Sequence, residues 1–354
     1  MIGIVATLSG CSYEGLTLFT QPSLSEQTVE SFIPSPPNTA APYIYVDYAW
    51  EYVQESNGRI HPVELHFPVP KDLYDYYCNL DRVITREADY SVYVTDPSDD
   101  STIEVLSDEL GRIAQIKGFS AENTVNFVAS FIQHCVTYVG DDESKDLKEY
   151  PRYPLETLVE GVGDCEDKSI LTSAVLQLMG YRVVLVSFSP ANEDEPGHMG
   201  VAVAGYNYSG AHYSYESRDY YYLETTREGW TLGEIDSKYQ SMEGVVYDLV
   251  PRSMLRLANN CRWVVNDDEY EIGFTVKNWG TASANEAYLR ACFDGGNWFC
   301  SRTFSLSSGW MTVNIPVNVT RSFPDHHTIK VEIIHDGRIV DDAKFDTSKN
   351  LVES

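Results

Sequence analysis

Residues 153–180 read YPLETLVEGVGDCEDKSILTSAVLQLMG. Gly161, Gly163 and Asp164 form a turn, and Asp164 suits the position just before a helix. Ile170, Leu171, Ala174, Val175 and Leu178 then recur at helical spacing until Gly180 ends the pattern. Cys165 therefore falls in the first helical turn. Unpaired backbone N–H groups and the positive dipole end favour a thiolate there, the form of cysteine that attacks carbonyl groups. Glu166 and Asp167 also suit a helix start, but their charges oppose a thiolate, so a base must come from elsewhere in the chain.

Eight histidines limit the choice of base. His198 opens the run His198-Met199-Gly200-Val201-Ala202-Val203, whose alternation reads as a strand. It follows residues 190–197, a polar segment suited to a cleft rim. Tyr220–Thr226 is the next strong strand, with Glu224 near its end among apolar and hydroxyl residues. A carboxylate there can accept from the far nitrogen of the His198 ring and hold its tautomer. Alone, each of the three residues has an ordinary packing or surface role. Their order on these elements is what points to chemistry.

The blocks Tyr153–Leu158, Gly163-Asp164-Cys165-Glu166-Asp167, His198-Met199 and Tyr222–Thr226 resemble the transglutaminase-like cysteine peptidase superfamily, closest to its secreted archaeal and bacterial members. The resemblance covers roughly residues 43–234. It implies an α+β fold with a papain/transglutaminase-like core, in which a Cys-bearing helix packs on an antiparallel sheet. By the same resemblance Cys165 is the nucleophile, His198 the base and Glu224 the orienting acid, where the family usually has Asp. Tyr138 or Gln133 would supply a second oxyanion donor beside the Cys165 N–H, though both also suit helix-end packing.

Upstream, residues 43–93 alternate apolar and polar side chains, and Tyr90–Thr95 reads as a strand. Ile103, Leu106, Leu110 and Ile113 mark a helix, and Ser120 caps the next one, which buries Val125, Val128, Ala129 and Ile132. Cys135, within that helix, reads as a core thiol. From Arg262 onward the chain alternates strands and turns, as an all-β sandwich does. Its Val276–Ala282 run resembles Ig-like surface modules. The expected domains are 1–42, a leader and tether; 43–261, the catalytic domain; and 262–354, the sandwich.

The 354 residues include 25 Lys and Arg against 53 Asp and Glu, a formal charge of −28. Such a surface repels phosphate backbones, which excludes nucleic acid as a partner and leaves a protein or peptide substrate, with a slight bias to Lys-rich ones. Seven cysteines form no CxxC pair, and Asp99-Asp100, Asp267-Asp268 and Asp341-Asp342 lack the spacing of a calcium loop, so no metal or cofactor is expected. Cys292 and Cys300 flank the turn Asp294-Gly295-Gly296 and are a candidate disulfide.

The chain opens MIGIVATLSGC, and Leu8-Ser9-Gly10-Cys11 resembles a lipobox, with Cys11 as the lipidation candidate. No basic residue precedes Arg59, so the positive flank of a leader is absent from these residues. Residues 20–42 are rich in Ser, Thr and Pro, as a tether is. Asn207 and Asn318 open glycosylation sequons. These features describe an extracellular, cell-surface lipoprotein that meets the membrane only through its anchor. Two functions fit: a thiol-dependent amide hydrolase or acyl transferase, or a non-catalytic binding or adhesion protein on the same scaffold.

Overall fold

The computed structural model describes residues 29–32, 42–55, 57–82, 90–147, 149–189, 197–205, 208–266, 269–317 and 328–346. Cys11, the rim segment 190–196, Asn207, Asn318 and Asp267-Asp268 lie outside them. The chain divides into two units, residues 1–249 and 250–354. The boundary expected at 261/262 lies inside a single strand of the second unit, Leu255–Asn266.

In the first unit, β1 (Val29–Phe32) pairs in parallel with β3 (Arg59–Pro70), which pairs antiparallel with β2 (Tyr43–Gln54). Part of the expected tether is thus a strand: Val29–Phe32 supplies backbone partners to an edge that would otherwise be open. Next come α1 (Lys71–Cys78), α2 (Ser91–Val94), α3 (Asp100–Lys117) and α4 (Ala121–Cys135). The strand expected at 90–95 is instead the single turn α2, with all four of its residues buried. Tyr93 packs there against Tyr153, with ring centroids 4.8 Å apart. Burial on every side overrides the β preference of Val92, Tyr93 and Val94. At α4 the Ser120 hydroxyl accepts from the Asn123 N–H, the expected cap.

The two-residue strand β4 (Thr137–Tyr138), α5 (Asp141–Ser144), α6 (Pro154–Glu160) and β5 (Val162–Gly163) lead into α7 (Cys165–Leu178). Every residue of α7 from Glu166 to Leu176 is buried, which fits a helix packed all round. It lies against α3, α4 and α6, and against β6 (Val183–Phe188) and β7 (His198–Ala204). With β8 (His212–Tyr215), β9 (Arg218–Leu223) and β10 (Val245–Asp248), these strands form a sheet in the order β10-β6-β7-β9-β8. Every pairing in it is antiparallel. No described helix is long and apolar enough to cross a membrane.

The second unit contains β11 (Leu255–Asn266), β12 (Glu269–Asn278), β13 (Ala284–Phe293), β14 (Trp298–Cys300) and β15 (Phe304–Leu306). β16 (Gly309–Val317), β17 (Thr328–His335) and β18 (Arg338–Asp346) complete it. One sheet runs β11-β12-β16 and another β14-β13-β17-β18, and both contribute to one apolar core around Phe274, Leu289, Ile315 and Val331. The expected Cys292–Cys300 bridge is corrected: both thiols are free. In the β13–β14 hairpin Cys292 faces Trp298 and Cys300 faces Arg290, so the two cysteines are diagonal rather than opposite. Diagonal neighbours stand about 7–8 Å apart, too far for a disulfide.

Candidate active site

The turn into α7 is built tightly. A Cβ on Gly163 would lie 2.6 Å from the Asp167 Cβ, so only glycine fits there. Asp167 reaches back to accept from the Asp164 N–H at 3.3 Å, one half of a capping box. Its carboxylate also takes the Arg152 N–H at 2.7 Å and the guanidinium at 2.5 Å. Arg152 is fully buried, and it further binds Asp141, Ser144 and Glu160. This hub pins the loop that presents Cys165. Of the two acids that follow Cys165, Asp167 is therefore paired with a cation that sequence reading overlooked. The available signal was an arginine directly before the Tyr153–Leu158 block in a chain poor in cations.

Cys165 opens α7 and sits beside the start of β7, where the Met199 backbone N–H favours its thiolate. One helical turn on, the Ser169 hydroxyl donates to the Met199 carbonyl at 3.2 Å, which locks helix to strand at this point. The thiol donates to Glu166 Oε2 at 3.1 Å. Burial first, then the charges of Glu166 and Asp164, push the thiol well above its ordinary value. Glu166 is itself pushed far up, by burial and then by Asp164.

His198 begins β7 opposite Phe188. Its Nε2 lies 2.9 Å from Glu224 Oε2, so with that nitrogen protonated the ring donates to the carboxylate. Among the described residues Nδ1 has no hydrogen bond, which leaves its lone pair for a proton. Glu224 follows directly after β9 and is 2% exposed. It also accepts from Tyr222 Oη at 3.2 Å, the Thr226 N–H at 2.8 Å and Thr226 Oγ1 at 2.7 Å. Burial raises the Glu224 carboxyl, but His198 and the two Thr226 donors outweigh it and bring it down to about 2. Gly200 makes room for this shell, because a Cβ there would meet the Tyr222 hydroxyl at 2.4 Å. Asp219, another acid near this strand, instead accepts from Ser214 at 2.7 Å.

The two oxyanion candidates separate. Tyr138 pairs with Gly163 across β4–β5 and is half exposed. Burial first, then the charges of Cys165, Asp164 and Glu166, push its hydroxyl above the ordinary value. The expectation for Gln133 is corrected. Its amide donates to the Glu224 and Trp230 carbonyls at 2.8 and 2.9 Å, and accepts from the Gly229 N–H at 3.2 Å. Both donors are used on backbone carbonyls, one of them that of Glu224, so Gln133 supports the site without facing it.

Among the described residues, two groups of acids and thiols bring potential ligand atoms within 4.8 Å of one another: Cys78 with Glu156 and Glu160, and Asp164 with Cys165 and Glu166. In the first, the carboxylates are already matched by Arg82, Lys145 and Arg152. In the second, Glu166 is engaged by the thiol.

Residues 102–229 match the family model of a transglutaminase-like domain. Cys165, His198 and Glu224 all fall within this stretch, and so do α7, β7 and β9. No curated protein matches the chain.

Proposed function

We propose that this protein is a thiol-dependent amide hydrolase or acyl transferase acting through Cys165, His198 and Glu224. The observation that carries the reading is the His198–Glu224 hydrogen bond, placed where the start of the Cys165 helix meets β7. His198 Nδ1 takes the thiol proton, and the sulfur attacks the amide carbonyl carbon. The Cys165 N–H at the helix start and Tyr138 Oη are suited to receive the oxyanion. His198 then gives its proton to the leaving amine, and a thioester remains on Cys165. Water or a second amine attacks the thioester, His198 accepts its proton, and the thiol is restored. Glu224 stays ionised throughout and steadies the imidazolium.

The acidic composition favours protein or peptide substrates rich in Lys. The papain-like arrangement, the Ig-like character of the second unit and a cell-surface location through lipidated Cys11 belong to the same proposal and rest on the sequence. A second reading, a non-catalytic scaffold, is favoured by one observation: the thiol is hydrogen-bonded to Glu166 rather than to His198.

An electrophilic thiol probe decides between them. For an enzyme, labelling concentrates on Cys165, amide-bearing peptides compete for it, and Cys165→Ser abolishes both labelling and turnover. Glu224→Gln keeps the shape but loses the charge, and it should slow acylation by about 10- to 100-fold. Full turnover in a folded Cys165→Ser protein would end the enzyme reading.

A further inference from the structure

Tyr239 lies beyond the matched stretch, in the segment that follows β9. Its ring stacks on the His198 imidazole, with centroids 4.7 Å apart and planes inclined by 12°. On the strand side the same ring stacks on Phe188, at 4.9 Å and 24°. Phe188 is also near-parallel to His198, at 6.4 Å and 14°. Three flat rings thus lie in one orientation, and two of them belong to adjacent strands. Tyr239 itself is held by a local turn, with its N–H donating to the Asp236 carbonyl at 2.8 Å and its carbonyl accepting from the Met242 N–H at 3.1 Å.

We infer that Tyr239 is a positioning residue for the catalytic imidazole. This rests on the proposed function and extends it to a residue outside the triad. An imidazole held only by one hydrogen bond to Glu224 can still swing about that bond. A face-on ring removes that freedom, so Nε2 stays on the carboxylate while Nδ1 stays available to the thiol. Stacking also shields the His198–Glu224 bond from water, which strengthens it. The charged and titratable groups around this pair are Glu224 and Tyr222 from the β9 side, Cys165 from α7, Tyr138 from β4, and Asp236, Lys238 and Arg227 from the Tyr239 segment and its flank.

The test is the rate of Cys165 alkylation by iodoacetamide in the full chain, followed on the Cys165 peptide by mass spectrometry from about pH 5 to about pH 9. This readout needs no substrate. His198→Ala defines the part of the profile that depends on the imidazole. Tyr239→Leu fills the space without a flat ring and should lose about 10-fold of that part or more. Tyr239→Phe restores the ring and should return the profile to within about twofold of wild type. Ring-nitrogen NMR of His198 supplies the second measurement: the Nε2–H tautomer persists in Tyr239→Phe and mixes with the other in Tyr239→Leu. If His198→Ala changes the profile and Tyr239→Leu does not, the role of Tyr239 is wrong and the triad stands. If His198→Ala leaves the profile unchanged, the triad fails and the positioning role falls with it.

Discussion

Around α7 the interior of the first unit is full of charge: Arg152, Glu156, Asp167, Lys168 and Glu224 are each at most 2% exposed. In the second unit the buried cluster from Leu255 to Phe345 is apolar, and Asn278 and Glu332 are the buried polar side chains among the described residues. Asn278 is fully occupied in tying loops, donating to the Ala282, Leu306 and Ser307 carbonyls. A buried ion pair stabilises little against an apolar pair of the same shape, because desolvation consumes most of its attraction. The first unit therefore gives up stability to hold polar groups in fixed places, and those places surround Cys165. The second unit keeps a simple apolar core.

The largest effect expected from this contrast follows Arg152→Met. It leaves Asp141, Asp167 and Glu160 without their shared cation, a loss of about 3–5 kcal/mol for a broken buried network. Hydrogen exchange should rise across α6 and α7 and stay low in β12 and β17. Unchanged protection around α7 would mean that the hub is not what holds the loop.

Phe274→Ala is the matching cut in the second unit. Phe274 is fully buried, and its removal should cost about 3 kcal/mol through lost burial and a residual cavity. Exchange should then rise in β11–β18 while the rate of Cys165 labelling holds. A fall in that rate would show that the apolar unit also sets the geometry of the site.

Lys168 allows a finer test. It is 1% exposed and its ammonium donates to the Val136 carbonyl at 2.7 Å. Burial lowers it from 10.5 to about 8, against the opposing pull of Glu224 and Glu228. Between those two values the unfolded chain binds the proton and the folded one does not, so stability rises with pH across that window. The rise amounts to about 3 kcal/mol, and below it the full penalty of the buried charge is present. Urea unfolding from pH 7 to 11 should show the rise in the wild type and not in Lys168→Met. Parallel curves for the two proteins would place the ammonium in contact with water.

The smallest effect is a null one. With Cys292 and Cys300 free, a reductant should leave the melting temperature unchanged, and denaturation without reductant should expose both thiols to alkylation. A drop in melting temperature on reduction would restore the bridge and give the second unit a covalent brace.

Much of this site was legible in the chain. The turn residues Gly163 and Asp164 and the apolar spacing of Ile170, Leu171, Ala174, Val175 and Leu178 locate the start of α7, because a helix start is specified by local chemistry. The alternation after His198 and the position of Glu224 at a strand end place the two residues on neighbouring strands, and register then brings them to 2.9 Å. Residues 91–94 form a buried helical turn against their β preference, because that preference is local while their burial is not.

The sequence by itself determined the start of α7 with a cysteine in its first turn, the strand that follows His198 and a composition hostile to polyanions, since each depends on neighbours in the chain or on simple sums. Tertiary structure alone decided which long-range partners those residues met. It sent the Gln133 amide to the Glu224 carbonyl, 91 positions away, rather than toward an oxyanion. It set Arg152 against Asp167 and laid Tyr239 flat on His198. None of these contacts leaves a periodic trace, because hydrogen bonds and ring stacks depend on where side chains end in space, and that position is fixed only after helix and sheet have packed.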